Sequence, residues 1–324
     1  MSQNAKIFVA GHTGLVGSAV LRRLQGLGYN NILLRTSKEL DLTQQDKVEE
    51  FFQFERPEYV FLCAAKVGGI LANKMFPAQF IQQNLLIQTH VLHEAMKSKV
   101  KRLLFLGSSC IYPRECPQPI KEEYLLTGLL EATNRPYAIA KIAGIEMCSS
   151  YNRQYGTRYV CAMPTNLYGP NDHYDLETCH VLPALIRKFH DANEEKKEFV
   201  ELWGTGKARR EFLHSDDLAN AVTYIMNLDD RKYDNLLEKQ PPIINVGCGE
   251  DLTIQELAEQ IKSIIGFQGK IHWNTEKPDG TPQKLFDISL ISSIGWKPQI
   301  ALEQGICDTY SQVKESWVLN SVKS

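Results

Sequence analysis

Ile7-Phe-Val-Ala-Gly11-His-Thr-Gly14-Leu-Val-Gly17 joins a short apolar run to three glycines with the spacing G-x-x-G-x-x-G. The run Ile7–Ala10 predicts a buried strand, and the apolar periodicity of residues 15–27 predicts a helix that starts within the glycine turn. Such a helix N-terminus suits the phosphates of a dinucleotide, because it presents unpaired backbone N–H groups. We therefore expect a dinucleotide-binding loop whose contacts come from Gly11, Gly14, Leu15, Val16 and Gly17.

Strands and helices alternate along the first half of the chain. Further strands are predicted at residues 32–34, 59–63, 102–106 and 158–163, and helices at residues 43–54, 78–97 and 136–155. Such alternation is typical of a parallel sheet with helices on both faces. The expected fold class is therefore α/β, with a Rossmann-type doubly wound parallel sheet.

The alternation weakens after Pro164, where turn-forming residues, prolines and mixed charges become frequent. Helices are predicted there at residues 182–195, 252–265 and 301–318, and strands at residues 199–203, 243–246 and 271–273. We expect residues 1–165 to form the dinucleotide-binding Rossmann domain and residues 166–324 to form mainly a smaller C-terminal α/β substrate lobe. Part of residues 207–245 is expected to return to the first domain.

The composition excludes several classes of function. The chain has 324 residues, 43% of them hydrophobic and 23% charged, with a net charge of -2, so nothing favours a nucleic acid or an anionic membrane surface as partner. No apolar run is long enough to span a membrane. The eight cysteines form no C-x-x-C pair, which argues against a metal ribbon or a disulfide scaffold. We expect free thiols, no metal and a cytoplasmic location.

Tyr137 and Lys141 lie four residues apart on the predicted helix 136–155, and Ser108 follows a predicted strand. Residues at i and i+4 share one face of a helix. A neighbouring cation favours the phenolate, so the phenol pKa is expected to fall from about 10 toward the working pH. Such a phenol can give a proton to a carbonyl oxygen while a hydride attacks the carbon, and Ser108 can hydrogen-bond the same oxygen. The pattern predicts a carbonyl-reducing site.

The predicted second strand ends in Arg35-Thr-Ser-Lys38, a tip without an acidic residue. An NAD site usually has a carboxylate there for the ribose 2′-hydroxyl, whereas a cation suits the 2′-phosphate of NADP. We therefore expect NADP (as NADPH), with Arg35 and Lys38 at the 2′-phosphate, and Ser37 is also expected to contact the cofactor. Alternatively, Arg35 and Lys38 are solvated surface charges. Asp41 and Leu42 are expected beside the adenine, unless Asp41 only caps the following helix.

The reducing site and the glycine turn together resemble the extended short-chain dehydrogenase/reductase family, which acts mostly on nucleotide sugars. The residues that carry this resemblance are Gly11, Gly14, Gly17, Ser108, Tyr137 and Lys141. Longer blocks are similar to the branch of the family that forms GDP-L-fucose. These blocks are Leu-Gly-Ser-Ser-Cys-Ile-Tyr-Pro (106–113), Pro-Tyr-Ala-Ile-Ala-Lys-Ile-Ala-Gly (136–144), Pro-Thr-Asn-Leu-Tyr-Gly-Pro (164–170) and Lys-Pro-Asp-Gly-Thr-Pro (277–282).

The resemblance implies that GDP-4-keto-6-deoxy-D-mannose is epimerised at C3 and C5 and then reduced at C4 by NADPH, which gives GDP-L-fucose. Both carbons flank the ketone, so their protons are acidified, and inversion needs a base on one face and an acid on the other. Cysteine and histidine, with ordinary pKa values of about 8.5 and about 6.5, suit that task. The resemblance assigns it to Cys110 and His180; the alternative is that each is a structural residue.

The resemblance also implies the remaining contacts. Lys141 is expected to hold the nicotinamide ribose as well. The residues expected around the nicotinamide are Leu106, Pro164, Asn166, Leu167 and His180. The cations expected at the GDP diphosphate are Lys188, Arg210 and Lys284, since charge-assisted contacts to phosphate are strong. Trp203 and Asp279 are expected to contact the substrate.

The chain departs from the family pattern at several cations. Thr13 and Ser37 stand where many relatives have arginines at the NADP 2′-phosphate, which leaves that phosphate to Arg35 and Lys38. Lys188 stands where relatives often have arginine, so the charge is kept but bidentate geometry is lost. Members of the family commonly form homodimers through two long helices, and we expect a homodimer through residues 79–97 and 138–155.

Other functions are compatible with parts of this pattern. One is a reductase of a related GDP-4-keto sugar, such as a heptose, with or without epimerisation. Another is a 4-epimerase that retains bound NAD, and a third is a nucleotide-binding module on an inactive reductase fold. Cys110 and His180 favour the epimerase-reductase, because reduction alone needs neither group. Ser108, Tyr137 and Lys141 argue against an inactive module.

Overall fold

The computed structural model describes residues 1–277 and 279–321. Its strands are β1 (Ile7–Ala10), β2 (Ile32–Leu33), β3 (Tyr59–Leu62), β4 (Arg102–Leu106), β5 (Tyr159–Pro164), β6 (Asn166–Tyr168), β7 (Phe199–Trp203), β8 (Arg209–His214), β9 (Ile243–Val246), β10 (Asp251–Thr253), β11 (Lys270–Asn274) and β12 (Gln283–Lys284). Its helices are α1 (Leu15–Gly26), α2 (Gln45–Glu55), α3 (Ile70–Met75), α4 (Pro77–Lys97), α5 (Arg135–Tyr155), α6 (Val181–Glu194), α7 (Ser215–Asn227), α8 (Asp230–Leu237), α9 (Ile254–Ile265), α10 (Ser289–Ser293) and α11 (Leu302–Ser321).

The first sheet has the order β2-β1-β3-β4-β5-β9, and all of its neighbouring strands are parallel. The chain runs from β1 to one side and then returns past it to β3, so the winding direction reverses between β1 and β3. In open α/β sheets, ligands bind outside the carboxyl ends of the strands at such a reversal. The predicted doubly wound α/β fold is confirmed, and its ligand edge lies where the glycine turn follows β1.

Both faces of this sheet are covered, as the apolar strands predict. Ile7 and Val9 pack into a core with α1 and α7, whereas Phe8 and Ala10 pack into a second core with α2 and α4. Successive side chains of a strand point to opposite faces, so one short strand serves both cores. Its position fixes the start of α1 relative to the sheet.

A second lobe contains a sheet of order β10-β8-β12, with β6 paired to the last residues of β8, and a separate β7–β11 pair. Buried side chains of α6, α9 and α11 form its core. The chain crosses between the lobes more than once: α7 packs on α1, and β9 pairs with β5, although β8 lies in the second sheet. The division at residues 165 and 166 stays a prediction, and residues 322–324 of its second part lie outside the described residues.

Candidate active site

The glycine turn brings backbone close to backbone at the reversal point of the sheet. Gly11 has φ +84°, and a Cβ there would lie 2.8 Å from the backbone of Ala64, which follows β3. A Cβ on Gly17 would overlap the Gly11 carbonyl. Among the described residues, a Cβ on Gly14 would meet only the Gly11 oxygen, at 3.6 Å, and no side chain caps the start of α1. The open side of Gly14 and the uncapped N–H groups fit a bound diphosphate.

The tip of β2 differs from what we expected for the 2′-phosphate. Arg35 donates from Nη2 to Glu55 Oε1 at 2.7 Å and from Nη1 to the Leu34 carbonyl at 2.8 Å. Thr36 donates from its backbone N and its hydroxyl to Glu39, at 2.7 and 2.8 Å. Ser37 and Lys38 between them are exposed. Arg35 is therefore already engaged with a carboxylate, and Lys38 is the exposed cation of this tip.

Asp41 caps the backbone, which is the alternative that the sequence left open. Its carboxylate accepts from the Thr43 N–H at 2.9 Å and the Thr43 hydroxyl at 2.7 Å, and these bonds lower the pKa of Asp41. It also lines a cavity of about 330 Å³ with Thr43, Gln82, Gln83 and Leu86. The carbonyl of Leu42 lies 3.1 Å from Nδ1 of His90. The predicted adenine contacts of Asp41 and Leu42 stay predictions.

Tyr137 and Lys141 lie on one face of α5, as their spacing predicts. Lys141 is 3% exposed, and its Nζ donates to the Leu106 carbonyl at 2.8 Å and stands 5.9 Å from the centre of the Tyr137 ring. The helix approaches β4 closely at Gly144, where a Cβ would lie 2.5 Å from the Phe105 ring. This close approach lets the lysine reach the carbonyl end of β4.

The expected depression of the phenol pKa is wrong for this structure. Burial raises the pKa of Tyr137, although a hydrogen bond with Ser108 opposes the shift. Burial also lowers the pKa of Lys141 to about 8. Desolvation disfavours the charged form of both groups, and the ammonium is bound to the Leu106 carbonyl rather than to the phenol. Tyr137 is therefore a neutral phenol beside a lysine that titrates near neutral pH.

Ser108 and Cys110 follow β4 in a tight turn at the same edge of the sheet. The Ser108 hydroxyl accepts from the Cys110 N–H at 3.4 Å. Burial raises the pKa of Cys110, while Ser108 and then the cation of Lys284 lower it. Ser108 therefore interacts with both the thiol and the phenol of Tyr137, which places these three groups together.

A buried amide that sequence reasoning missed holds this turn in place. Asn245 accepts from the Tyr112 hydroxyl at 2.6 Å, and it donates to the Ile120 carbonyl at 2.9 Å. Its backbone N–H donates to Glu122 at 3.0 Å. The signal in the sequence is one polar residue inside the apolar strand Ile243–Val246. It fixes both ends of the loop that leaves Cys110.

His180 precedes the first residue of α6 and belongs to a loop that contacts the first lobe. The Thr178 carbonyl accepts from the Gly69 N–H at 2.7 Å. Solvent reaches the His180 side chain, but it lies in a concave part of the surface where desolvation lowers its pKa, and His173 and Lys284 lower it further. Lys284 lowers the pKa of both His180 and Cys110, so its ammonium lies within electrostatic range of the imidazole and the thiol.

Asp172 lies in the same loop and was not predicted as a site residue. One carboxylate oxygen accepts from the His173 N–H at 2.8 Å, and the other has no hydrogen-bond partner among the described residues. Burial raises the pKa of Asp172 to about 7. Nothing in its local sequence distinguishes it from the other turn residues nearby.

The predicted substrate cations come from different elements of the second lobe. Arg210 of β8 is paired in register with Lys284 of β12, and paired residues of neighbouring parallel strands point to the same face. Lys188 of α6 donates to the Glu201 carbonyl at 3.0 Å and stands 5.7 Å from the centre of the Trp203 ring. Burial lowers the pKa of each of these cations.

Trp203 ends β7, and Asp279, between β11 and β12, contacts the turn that follows β7. Trp203 is 60% exposed, and Lys277 also stands over its ring, at 5.5 Å. Asp279 accepts from the Thr205 N–H at 2.6 Å and from the Thr205 hydroxyl at 2.8 Å. Asp279 therefore stabilises the turn that presents Trp203; its contact with substrate stays a prediction. Pro278 of the quoted block 277–282 lies outside the described residues.

The residues predicted around the nicotinamide lie at the carboxyl ends of β4 and β5. Leu106 and Pro164 end those strands, and Asn166 and Leu167 begin β6 directly afterwards. Leu106 contacts Lys141 through its carbonyl, whereas Arg35 and Lys38 lie at the far end of the sheet edge, after β2. The set forms an extended site rather than a compact cluster.

Two further features concern the described residues as a whole. They contain no group of three or more acidic, histidine or cysteine side chains placed to hold a metal ion. None of their helices combines the length and the apolar character needed to cross a bilayer. A cavity of about 470 Å³ lies among residues of α5 and α8 such as Arg153 and Asp234, away from the predicted catalytic residues.

Residues 7–247 match the family described as NAD dependent epimerase/dehydratase. The chain belongs to this family. The match runs from β1, the strand before the glycine turn, to the end of β9. It therefore covers the elements that position Ser108, Tyr137 and Lys141. The predicted resemblance to extended short-chain dehydrogenases/reductases is thereby confirmed.

Relatives in this family align over almost the whole chain. GDP-L-fucose synthase 1 of Arabidopsis thaliana is 53% identical over 99% of this chain and 95% of its own length. GDP-L-fucose synthase of Escherichia coli (strain K12) is 48% identical over 96% of this chain and 97% of its own. Among solved structures, a GDP-6-OMe-4-keto-L-xylo-heptose reductase from C. jejuni has a TM-score of 0.91 at 41% identity, covering 98% of this chain and 99% of its own.

Proposed function

We propose that the chain is an epimerase-reductase that converts GDP-4-keto-6-deoxy-D-mannose to GDP-L-fucose with NADPH as reductant. One observation carries the proposal: Ser108, Cys110 and Tyr137 share a space at the end of β4, and Lys284 perturbs the pKa of both Cys110 and His180. A ketone held there meets the groups for reduction and the groups for epimerisation in one cleft. Relatives named GDP-L-fucose synthase at 53% and 48% identity support the same substrate.

The reducing half of the proposal uses the residues on α5 and after β4. The hydroxyls of Ser108 and Tyr137 bind the C4 oxygen, and Tyr137 gives it a proton. Lys141, with a pKa of about 8, can return a proton to the phenol near neutral pH. NADPH, when bound along the glycine turn, supplies the hydride. The open backbone at Gly14 and the uncapped start of α1 are the features that fit its diphosphate.

The epimerising half uses Cys110 and His180. Ser108 stabilises the enolate oxygen that forms when a proton leaves C3 or C5, because its hydroxyl donates a hydrogen bond to that oxygen. In this structure burial raises the pKa of Cys110 and lowers that of His180, so the resting pair is a thiol and a neutral imidazole. The pair holds one transferable proton and one basic site, as inversion requires.

We assign binding of the GDP group to residues of the second lobe. Arg210 and Lys284 face one side of their sheet and hold the diphosphate, with Lys188 beside them. The exposed indole of Trp203 offers a flat surface on which a guanine can stack. The predicted cofactor contacts at Ser37, Lys38, Asp41 and Leu42 belong to the same proposal, at the other end of the cleft.

A second candidate is the reduction of a related GDP-4-keto sugar, such as a heptose, with or without epimerisation. The likeness to the C. jejuni heptose reductase favours it, at 41% identity and a TM-score of 0.91. MlghC, a GDP-mannoheptose C4 reductase from Campylobacter jejuni with NADP bound, is 44% identical with a TM-score of 0.89, over 97% of this chain and 99% of its own.

We further propose a multifunctional homodimer in a reducing compartment such as the cytoplasm. The long helices α4 and α5 pack along each other, and α5 exposes Ile139 and Tyr155, which supports pairing of this helix layer with a second copy. The eight cysteines are all free, which supports a reducing location. Light scattering on a size-exclusion column should give twice the chain mass of 36.8 kDa, and a single chain mass would contradict the dimer.

The deciding experiment follows the reaction by NMR in deuterated water with GDP-4-keto-6-deoxy-D-mannose and NADPH. The proposal requires GDP-L-fucose carrying deuterium at C3 and C5, with one NADPH oxidised per sugar. Turnover of a GDP-4-keto heptose but not of the deoxyhexose would select the second candidate. Binding of NADPH without turnover of either sugar would contradict both. Tyr137→Phe is the control, because it should keep the deuterium exchange and lose the reduction.

A further inference from the structure

Glu211 is a carboxylate enclosed between the two sheets. It lies on β8 directly after Arg210, it is 0% exposed, and it forms no ion pair with a cationic side chain among the described residues. A buried charge is costly unless hydrogen bonds satisfy it. Burial raises its pKa accordingly, and backbone N–H groups are the main opposing influence. The hydrogen-bond partners of Glu211 therefore indicate its role.

Those partners come from separate parts of the chain. Oε1 accepts from the Gly249 N–H at 2.7 Å, and Oε2 accepts from the Phe286 N–H at 2.9 Å. The Glu211 backbone carbonyl accepts from Nδ2 of Asn166 at 2.8 Å. A Cβ on Gly247 would overlap Oε1, so the chain after β9 passes directly against the carboxylate. One residue thus joins the ends of β9 and β12 to β8 and to the start of β6.

This connection attaches β12 to β8, in addition to the bonds that Leu285 and Asp287 form with Gln118 and Ile120. The strand β12 pairs with β8 through only Gln283 and Lys284, a ladder too short to fix its own register. Two residues further on, the Phe286 N–H turns to the Glu211 side chain instead of a β8 backbone carbonyl. The carboxylate therefore extends the attachment of β12 to β8 beyond the point where the strands separate.

We infer that Glu211 is a positioning residue for nucleotide binding, which holds β12 against β8 so that the cations of Lys284 and Arg210 face the same diphosphate. The inference rests on the proposed function, because it assumes that those cations bind GDP. Glu211 itself touches neither substrate nor cofactor in this assignment. It acts through the register that places Lys284 opposite Arg210.

Glu211→Gln tests the inference with little change in shape. The amide places an NH₂ group against one of the two backbone N–H donors, so one hydrogen bond is lost and a buried donor is left unpaired. We expect the Kd for GDP, measured by isothermal titration calorimetry, to rise about tenfold, while the Kd for NADP⁺ changes by less than about twofold. The KM for the GDP-sugar should rise with it, while kcat changes less than about threefold.

Glu256→Gln is the matched control. Glu256 also accepts from a backbone N–H, that of Thr253 at 2.7 Å, but it lies on the exposed first turn of α9. Its replacement should leave the Kd for GDP unchanged. Equal losses of GDP and NADP⁺ affinity in Glu211→Gln would mean a general loss of structure and would overturn the positioning role. If that variant does not fold, Glu211→Asp carries the same comparison with the charge retained.

A double-mutant cycle with Lys284→Met separates this role from a merely structural one. If Glu211 acts through Lys284, adding Glu211→Gln to Lys284→Met should weaken GDP binding by less than about twofold more. Fully additive losses would show that the two residues act independently and would overturn the inference. A wild-type chain that does not bind GDP would instead refute the proposed function. A wild-type chain that binds it, with Glu211→Gln unchanged, would refute only the positioning role.

Discussion

The glycine turn at residues 11–17 and the seam between β8 and β12 are the two ends of the proposed site, but the chain builds them in opposite ways. The turn is contiguous, and its parts are fixed by backbone contacts with its own neighbours and with Ala64. The seam joins Arg210 to Lys284 across more than seventy residues and is held by the buried Glu211. A site built from neighbouring residues can be predicted from the sequence, whereas a site that depends on the register of distant strands cannot.

Substitutions in the two regions should also weaken the binding of different ligands. A defect in the turn should weaken cofactor binding alone, and a defect in the seam should weaken nucleotide-sugar binding alone. In the proposed function Tyr137 acts between the two regions, where the bound ketone meets the reductant. The largest effect of a single substitution is therefore expected at this residue.

Tyr137→Phe should lower the rate of C4 reduction by about 10³-fold, within the range of about 10²–10⁴ that one acid–base group supplies. The phenyl ring keeps the edge contact with Phe80, so the fold should be unchanged. Affinity for NADP⁺ and for GDP should both persist, and deuterium should still enter C3 and C5 of the substrate. Loss of exchange together with reduction would show that the phenol also serves the epimerisation.

Cys110→Ala should lower the rate of deuterium exchange by about 10²-fold or more, because one of the two groups that invert the carbons is removed. Some reduction of the unepimerised 4-keto sugar should survive. Cys148→Ala is the control, since that thiol is also buried but belongs to α5 and packs in the core. Epimerised product at the wild-type rate in Cys110→Ala would make Cys110 a structural residue.

The glycine turn itself offers a matched pair of substitutions. A Cβ on Gly17 overlaps the Gly11 carbonyl, so Gly17→Ala forces the backbone to shift and should cost about 1–3 kcal/mol of stability. The Kd for NADP⁺ should rise about tenfold or more, because the turn moves with the backbone. In Gly26→Ala the new methyl group meets nothing within 4 Å, and stability should hold or rise by up to about 1 kcal/mol. Equal NADP⁺ affinity in both variants would contradict the assigned packing role of Gly17.

The fold was predictable from the sequence because its signals are local. Buried strands such as Ile7–Ala10 are continuous apolar runs, and the long helices have clear periodicity. The second lobe was harder to predict, since β8 and α7 carry charged and buried residues together and β12 has only two residues. The order of the strands emerges only from pairing across the whole chain.

The candidate site also has some features that the sequence predicts and others that it does not. The spacing of Tyr137 and Lys141 placed both on one helix face, but the sequence could not show that desolvation outweighs the cation and raises the phenol pKa. Arg35 looked free in the sequence, and Glu55, its partner at 2.7 Å, lies twenty residues away on another element. Asn245 and Glu211 gave little signal, because a buried hydrogen-bond acceptor is recognised only by its partners.

The pH dependence of the reduction rate tests the role of Lys141. Burial lowers the pKa of Lys141 to about 8, so its ammonium is present below that pH and is lost as the pH rises through it. The steady-state rate of reduction should therefore fall above pH 8, by about tenfold per unit where proton return limits the rate. Lys141→Arg should move this decline to higher pH, since a guanidinium stays protonated. A rate that stays flat from about pH 7 to about pH 9.5 would contradict the proton-returning role.

The smallest effects are expected at the tip of β2, where two cations were predicted to hold the 2′-phosphate. Arg35 is bound to Glu55 and stands 5.7 Å from the centre of the Phe51 ring, so Arg35→Met should cost less than about 1 kcal/mol of stability and leave cofactor selectivity nearly unchanged. Lys38 is exposed, and Lys38→Met should lower the affinity for NADP⁺ relative to NAD⁺ by about fivefold. Titrations of both dinucleotides give this ratio for each variant. If Arg35→Met changes the ratio more than Lys38→Met does, Arg35 must leave Glu55 when the cofactor binds, and the tip of β2 would then depend on rearrangement as the seam depends on register.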